Sequence, residues 1–348
     1  MKLNINIISI LAIFMLISLS TLFSIGDIDS FYKQIVFWII SFLILISSQF
    51  ISYDSLLRSP YFYIFYGISI LILLSLFILP SKNNIWFNIA GFSIQPSEFV
   101  RIILIIILAI YISKYYNLMN NFYFLSLSFL SIAPFLFLIF LQPDLGMLIL
   151  FFLTWLFSVL IFLTRKQILV LSGILIIFLI ISWFLVLKPY HKERILTFIN
   201  PERDPLKAGY NLRQLKITIG SAGFWGKGFG KGTQARLGFL PSSKTDFILA
   251  SFIEERGFIG FIFYLVMFLL LLKILLFETT FIKDPLGVSF SNILIIHLGI
   301  KFILTTAVNL GIFPIIGLAI PFLSYGGSHL VSDSILLAIW HNFRYKTR

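Results

Sequence analysis

The feature that most constrains this chain is a succession of apolar runs, each about as long as a lipid bilayer is thick. The runs cover residues 5–25, 33–52, 61–79, 97–113, 122–141, 144–163, 168–187, 247–276, 288–311 and 314–342. A helix needs about 20 apolar residues to cross the hydrocarbon core of a membrane. The composition agrees, with 59% hydrophobic and 11% charged residues, far from soluble domains. We therefore predict an all-α polytopic membrane protein with about ten transmembrane helices, forming a single domain over residues 1–348.

The first and the last apolar run carry signals beyond their length. Residues 1–25 are predicted to be the first span and not a signal peptide, because no small-residue cleavage site follows before Asp27. The last run contains the segment IPFLSYGGSHL, whose Pro321, Gly326 and Gly327 favour a broken or late-starting helix sheltered by its neighbours.

The distribution of lysine and arginine predicts the orientation of the spans. With the N-terminus inside, the short outer loops carry only Lys33 and Lys82. The inner segments carry Lys2, Arg58, Lys114, Arg165, Lys166, Lys273, Lys283, Arg344, Lys346 and Arg348. Basic residues accumulate in cytoplasmic loops, so we predict that both termini are cytoplasmic.

The polar stretch at residues 188–246 is then a large extracytoplasmic loop between the seventh and eighth helices. It holds eleven Lys or Arg residues, an excess that suits an anionic ligand. Its segment GFWGKGFGKGTQ differs from a Walker A loop, because Gly232 separates Lys231 from Thr233. Glycines there would let amide groups approach a phosphate while Lys227 and Lys231 supply charge; the alternative is a solvated, mobile loop. Residues 210–223 suit a short helix in the membrane interface.

The formal net charge is +12, and the chain contains no cysteine. No separate basic domain exists, so nucleic acid is not expected, and anionic lipid headgroups are the favoured partners. Disulfides and thiolate metal sites are excluded.

Ionisable residues inside the spans tend to mark function. Glu98 and Arg101, three residues apart, share a helix face and can form a substrate site or a local ion pair. Asp144 opens a span, where capping the helix N-terminus is favoured over catalysis. Lys301 is expected to face the bundle interior beside a carboxylate that the sequence does not identify. His297 is expected to pack or to form hydrogen bonds and not to bind metal.

Asp246 ends the basic loop, just before the eighth span and the charged cluster formed by Glu254, Glu255 and Arg256. A carboxylate at this place can accept a proton from an attacking hydroxyl while nearby cations hold an anionic leaving group. The alternative is N-capping of the helix that follows.

Five motifs in order resemble the SEDS family of bacterial shape, elongation, division and sporulation proteins. They are GFSIQPSEFVR (91–101), QPDLG (142–146), GSAGFWGKGFGKGTQ (220–234), LGFLPSSKTDFILASFIEERGFIG (237–260) and PFLSYGGS (321–328). The resemblance covers nearly the whole chain, and the GKGFGKGTQ form is closer to the elongation members than to the division members.

The resemblance implies ten transmembrane helices in the bacterial inner (cytoplasmic) membrane. It implies peptidoglycan glycosyltransferase activity, in which lipid II is polymerised with glycan linked to undecaprenyl pyrophosphate. It also implies two kinds of partner, a class B penicillin-binding protein that acts as the transpeptidase and the elongation machinery.

Residue by residue, the essential aspartate of the family falls on Asp246. The other matched or nearby residues are expected to bind substrate: Glu98, Arg101, Lys227, Lys231 and Lys244. Family members more often carry Glu and His where this chain has Ser243 and Lys244, so a histidine role is not expected there. A divalent cation, Mg²⁺ or Mn²⁺, is compatible with the pyrophosphate, although the sequence shows no dedicated metal cage.

Three alternatives remain open at this point. A division-specific polymerase would share the motifs. A lipid II flippase would use the same cavity but predicts inverted repeats and paired broken helices, which the sequence does not show. A non-enzymatic elongation scaffold would need the spans but not Asp246.

Overall fold

The computed structural model describes residues 5–50, 61–89, 91–115, 122–181, 184, 189–206 and 208–346. The predicted inner-side cations Lys2, Arg58 and Arg348 lie outside these residues. Within them the chain forms helices and one short β-hairpin.

The elements alternate between long apolar helices and short polar connections. In chain order the helices are α1 (Ile5–Ile25), α2 (Ile28–Ser47), α3 (Tyr61–Ile78), α4 (Pro96–Lys114), α5 (Phe122–Leu141), α6 (Leu145–Leu160), α7 (Arg165–Ile181), α8 (Pro189–Ile199), α9 (Ala208–Gly220), α10 (Thr233–Arg236), α11 (Ile248–Thr279), α12 (Pro285–Asn309) and α13 (Gly327–Lys346). The strands are β1 (Phe87–Ile89) and β2 (Phe92–Ile94), which pair antiparallel. Every predicted apolar run overlaps one helix, so the prediction of an all-α polytopic membrane protein is confirmed.

Helices α1, α2, α4, α5, α11 and α12 are long and apolar enough to cross a membrane, and α3 and α6 are shorter apolar helices. In lipid, backbone groups must be satisfied within the segment, which makes helices the stable choice for such runs. The starts of α4 and α13 lie together, where Ser328 Oγ accepts from the Gln95 amide at 3.1 Å. The ends of α2, α11 and α13 also lie together, where Asn342 Nδ2 donates to the Ser48 carbonyl and Arg344 Nε donates to Glu278. The bundle therefore has a loop face, which carries α8 to α10, and an opposite, terminal face, where α1 begins and α13 ends.

Helices α4 and α12 form the centre of the bundle. In their most apolar stretches 72% and 61% of the residues are buried, against 28% in α2 and in α11. The less buried helices present side chains such as Leu43 and Leu269, which are 59% and 52% exposed, to the surroundings. Exposed apolar side chains of this kind are suited to lipid, while polar groups are kept for the centre.

Helix starts are fixed by side-chain caps. Asp27, Asp144 and Asp284 each accept a hydrogen bond from the backbone amide three residues later, which satisfies a donor left free at a helix N-terminus. The cap at Asp27 starts α2 at Ile28, five residues before the predicted span at 33. The capping role predicted for Asp144 is confirmed.

The last helix starts late, as predicted. Residues 310–326 contain no helix, and α13 begins at Gly327. Phe322 adopts a left-handed φ of 59°, and its ring stacks on Phe14 with centroids 5.5 Å apart. Residues 320–324 of this segment are thus buried in protein, where irregular backbone at membrane depth is tolerated.

Helix α11 is broken at Gly257, which has φ 67° and ψ −171°. A break leaves carbonyl groups on its N-terminal side without helical partners. Here the amide of Lys227 donates to the Glu254 carbonyl at 2.9 Å, and the amide of Gly228 donates to the Glu255 carbonyl at 2.9 Å. Two backbone amides of the glycine-rich segment therefore replace the lost helical donors.

The same segment also supplies acceptors on the other side of the break. The amide of Phe258 donates to the Gly223 carbonyl, and that of Ile259 donates to the Phe224 carbonyl, both at 3.2 Å. Gly226 has φ 79°, and an added Cβ there would lie 2.2 Å from a backbone oxygen of α11. We call residues 223–228 the splint, because they bridge both sides of the broken helix.

Candidate functional site

A cavity of about 790 Å³ opens at the loop face. It lies within the size range of ligand pockets. Its walls come from the hairpin region, the N-terminal ends of α4 and α6, helix α8, the turn before α11 and the segment after α12. Its lining residues are Asn83, Asn84, Ile85, Trp86, Gln95, Pro143, Asp144, His191, Arg194, Asp246, Ile316 and Gly317.

Asp246 lies on the cavity wall in the turn that precedes α11. Phe247 is the capping residue of this helix and makes no side-chain capping bond, so the N-cap alternative for Asp246 is not observed. The carboxyl is half-buried. Burial raises the pKa of Asp246 to about 6, while the positive charge of Arg194 acts in the opposite direction. The group is therefore a base poised near neutral pH.

The backbone around Asp246 is held rigidly. Four consecutive carbonyl groups each accept a hydrogen bond from α11, α12 or the 310–326 segment. The bonds are Ser251 Oγ to Ser243 O (3.0 Å), the Tyr325 amide to Lys244 O (2.9 Å), Ser324 Oγ to Thr245 O (2.8 Å) and Asn309 Nδ2 to Asp246 O (2.7 Å). Such bonds fix where the carboxylate can point, which is how a catalytic side chain is preorganised.

Asp144 is the second carboxyl of the cavity. Gln95 Nε2 donates to it at 2.7 Å, and the Met147 amide donates at 3.1 Å. Burial raises the pKa of Asp144 to about 6; the bond from Met147 lowers it, and the charges of Glu98 and Asp246 raise it.

The basic part of the cavity lining comes from α8, which the sequence reasoning did not select. His191 and Arg194 are three residues apart on this helix, so both can face the cavity. Arg194 Nη1 donates to the Ile315 carbonyl at 3.0 Å, which ties α8 to the segment after α12. The spacing of the two basic residues within an 11-residue amphipathic stretch was a signal available in the sequence.

Glu98 and Arg101 form the ion pair predicted from their spacing, with Glu98 Oε2 3.0 Å from Arg101 Nη2. Their side chains are 3% and 0% exposed, and neither lines the cavity. Gln95, just before the first turn of the same helix, does. The pair therefore lies in the bundle centre, next to the site.

Arg101 also pairs with Asp333, at 2.7 Å. Asp333 in turn pairs with Lys301 at 3.2 Å, which identifies the carboxylate partner that the sequence left unnamed. All three side chains are 0% exposed. This buried charge network joins α4, α12 and α13 at the bundle centre, where each charge is compensated.

His297 extends the buried charge network by hydrogen bonding, as predicted. Its Nε2 lies 3.3 Å from Arg101 Nη1 and its Nδ1 lies 2.9 Å from Thr154 Oγ1. Ser332 Oγ accepts a further bond from Arg101 at 2.5 Å. The network thus reaches α6 as well.

The three lysines selected from the sequence lie elsewhere on the loop face. Lys227 pairs with the buried carboxylate of Glu254 at 2.6 Å, and Lys244 pairs with Asp27. Lys231 is exposed. None of the three lines the cavity in this structure.

Among the described residues, no group of three or more His, Cys, Asp or Glu side chains has the arrangement of a metal site. The cavity does hold Asp144 and Asp246. Mg²⁺ commonly binds through one or two carboxylates together with substrate phosphates. These two residues therefore fit a cation that arrives with a phosphate ligand, and do not fit a resident structural metal.

Comparison with known proteins places the chain among cell-wall proteins. A profile of the FtsW, RodA and SpoVE family, described as "Cell cycle protein", matches residues 1–348. The chain is 36% identical over 285 residues to a probable peptidoglycan glycosyltransferase FtsW of Wigglesworthia glossinidia brevipalpis, covering 78% of this chain and 73% of that relative. It is 33% identical over 278 residues to the peptidoglycan glycosyltransferase MrdB of Escherichia coli K12, covering 78% and 74%.

Solved structures share the fold. One, described as structural coordination of polymerization and crosslinking by a peptidoglycan synthase complex, matches with a TM-score of 0.80 and 26% identity over 99% of this chain and 98% of that chain. The rod shape determining protein RodA of Thermus thermophilus matches with a TM-score of 0.70 and 23% identity over 98% and 97%. With the profile matched over its whole length, this chain belongs to the FtsW, RodA and SpoVE family, the SEDS family that its motifs resemble.

Proposed function

We propose that this protein is a peptidoglycan glycosyltransferase that polymerises lipid II, with Asp246 as the general base. The observation that carries the proposal is the placement of Asp246 on the wall of a cavity of about 790 Å³ at the loop face. The turn that carries it is fixed by hydrogen bonds, and its pKa is raised to about 6. The relatives' names, FtsW and MrdB glycosyltransferases, support the reaction class.

The reaction transfers a growing glycan from undecaprenyl pyrophosphate to the 4-hydroxyl of the GlcNAc of lipid II. The Asp246 carboxylate accepts the hydroxyl proton as the oxygen attacks the anomeric carbon. The new bond joins that oxygen to the carbon, and the bond from the carbon to the pyrophosphate oxygen breaks with its electron pair. General base catalysis of this kind contributes about 10²–10⁴ in rate.

The second carboxyl of the cavity is influenced by the bundle centre. Glu98 lies outside the lining, but its charge raises the pKa of Asp144. Asp144 would hold a divalent cation, Mg²⁺ or Mn²⁺, if one accompanies the pyrophosphate, and the cation would supply charge neutralisation. The lipid tails of both substrates are accommodated along the exposed apolar faces of the helices.

We place the loop face on the outer side of the bacterial cytoplasmic membrane and both termini in the cytoplasm. Lipid II is polymerised outside, and the charge distribution of the short loops agrees. The likeness to a peptidoglycan synthase complex supports a class B penicillin-binding protein as partner. We assign the protein to elongation, as a RodA-like polymerase, because of its GKGFGKGTQ segment; an FtsW-type division role is the alternative.

The test is polymer formation from labelled lipid II by the purified protein with its transpeptidase partner, resolved on a gel. Wild type is expected to make glycan strands and Asp246→Asn is expected to make none. Glu193→Gln, which removes an exposed carboxylate from α8, is the matched control and should retain activity. Strands from both wild type and Asp246→Asn would eliminate Asp246 as the base. No strands from wild type, with a control polymerase active on the same substrate, would favour a flippase or a scaffold.

The elongation assignment has its own test. Expression in cells depleted of their elongation polymerase should restore rod shape, whereas expression in cells depleted of their division polymerase should not restore septation. The reverse pattern would identify a division polymerase.

A further inference from the structure

The reaction proposed above requires a cation where its leaving group departs. The attacking hydroxyl and the leaving pyrophosphate lie on opposite sides of the anomeric carbon, and negative charge develops on the pyrophosphate as the bond breaks. Fixed positive groups aimed at that charge give the largest single contribution in reactions of this type. The cation must therefore lie in the same cavity as Asp246.

The cations selected from the sequence do not meet this requirement in the structure. Arg101 is 0% exposed and pairs with Glu98 and Asp333. Lys227 is engaged by Glu254, and Lys244 is engaged by Asp27. None of these three side chains, nor that of Lys231, lines the cavity that holds Asp246.

Arg194 is a cation in the same cavity as Asp246. In the part of the chain that the structure describes, it is the one Arg or Lys in the cavity lining. Its charge acts on Asp246, so the guanidinium and the carboxylate belong to one electrostatic site. His191, which is 2% exposed, lies on the same side of α8 and lines the same cavity.

The position of Arg194 is fixed from two directions. Helix α8 carries its backbone, and the bond from its Nη1 to the Ile315 carbonyl at 3.0 Å holds the side chain beside the 310–326 segment. A planar guanidinium binds phosphate oxygens in a fork, which gives orientation as well as charge. A preoriented arginine is therefore well suited to a pyrophosphate that must leave along one direction.

We propose that Arg194, assisted by His191, is the binding site for the pyrophosphate of the lipid-linked glycan donor. The inference rests on the proposed function and deepens it, because it assigns the leaving group of that reaction to one wall of the cavity. Arg194 is thus a substrate-binding residue in the cavity that also holds the base Asp246.

The test compares Arg194→Gln and Arg194→Lys with wild type in the complex with the transpeptidase partner, using inorganic pyrophosphate as an inhibitor. Removal of a charged hydrogen-bond partner should weaken pyrophosphate inhibition about 10-fold to 100-fold. It should also raise KM for the lipid-linked glycan donor. Arg194→Lys should fall between, because it keeps the charge and loses the fork. Inhibition should be competitive with the donor; competition with lipid II as acceptor would overturn the assignment to the leaving group.

Lys192→Gln is the matched control, since it removes one positive charge from the same helix without touching the cavity lining. It should leave pyrophosphate inhibition and KM unchanged. Equal effects of Lys192→Gln and Arg194→Gln would reduce the role of Arg194 to general electrostatics and contradict the inference.

A binding measurement separates this inference from the proposed function. Pyrophosphate should raise the melting temperature of Asp246→Asn, which cannot use the base, and should not raise that of the Asp246→Asn, Arg194→Gln double variant. Equal stabilisation of both proteins would refute the pyrophosphate site whether or not the wild type polymerises lipid II. Melting of the two proteins without ligand at similar temperatures shows that the Arg194 variant is folded.

Discussion

The side-chain amide of Asn309 bonds to both sides of the turn that carries the proposed base: its Nδ2 donates to the Asp246 carbonyl at 2.7 Å, and its Oδ1 accepts from the Ala250 amide at 3.1 Å. Asn309 is the last residue of α12 and is 0% exposed. One buried amide thus connects the end of a central helix to the start of α11.

Asn309→Asp should remove one of these two hydrogen bonds and keep the other. An aspartate can still accept from the Ala250 amide but cannot, when ionised, donate to the Asp246 carbonyl, so the turn should loosen. We expect kcat to fall at least about tenfold with a smaller change in KM, because misplacement of a catalytic group by about 1 Å is costly. Steady-state polymerisation rates measure this. An unchanged kcat in a folded variant would show that the turn is held without this bond.

Asp246→Asn should abolish activity and raise stability at neutral pH. The folded pKa of Asp246 is above its ordinary value, so ionisation of the half-buried carboxyl disfavours the folded state as pH rises from about 4 through about 6. The neutral amide removes that penalty. Thermal melts at pH 5 and pH 8 check this, and the gain should be larger at pH 8. A lower melting temperature at pH 8 would contradict the burial argument.

The pH dependence of kcat/KM should show an acidic limb near pH 6. Asp246 must be ionised to accept a proton, so activity should rise with pH and level off above the pKa of about 6. Since the charge of Arg194 lowers this pKa, Arg194→Gln should move the limb to higher pH, while Lys192→Gln should leave it in place. A limb that moves to lower pH in Arg194→Gln would have the wrong sign.

Asp333→Asn should be among the most destabilising single changes in the bundle. It leaves Arg101 and Lys301, both 0% exposed, without their shared carboxylate, and breaking a buried pair costs about 3–5 kcal/mol. Lys33→Gln breaks the exposed pair with Asp29 and should cost less than about 1 kcal/mol. Thermal melts in detergent compare the two, and equal costs would exclude a central structural role for the buried charge network.

Gly257→Ala should strain the break in α11. Its backbone conformation is essentially restricted to glycine, with a cost of about 1–3 kcal/mol for other residues, and an added Cβ would lie 2.3 Å from the Gly226 amide nitrogen. Gly299→Ala in α12 is the control, because a Cβ there meets only a side-chain carbon at 4.0 Å. That change should be neutral or stabilising by up to about 1 kcal/mol. A stable Gly257→Ala protein would mean that the splint can shift.

Much of the fold could be predicted from the sequence, because the physical signal is local. A run of about 20 apolar residues has one stable solution in lipid, so each predicted run contains a helix. Local signals also predicted the cap at Asp144 and the Glu98–Arg101 pair. The start of α2 was predicted five residues late, because Asp29 and Lys33 obscured a helix that the Asp27 cap had already begun.

The cavity was less predictable, because it is assembled from segments far apart in the chain. Sequence reasoning selected Asp246 as catalytic candidate but missed Arg194 and Asp333, each of which gains its partner only through folding. The glycine-rich segment suggested phosphate binding, since glycines and lysines serve that purpose elsewhere. In the structure its amides are used by the backbone of α11, a requirement that no local pattern reveals.

The splint makes α11 dependent on chain that is synthesised before it. Residues 223–228 leave the ribosome ahead of 254–259, so the partner groups for the break are available when the helix emerges. A chimaera that exchanges the large loop with that of a relative should therefore exchange residues 223–228 and 254–259 together. An exchange that separates the two segments should leave four backbone groups of a membrane helix without partners.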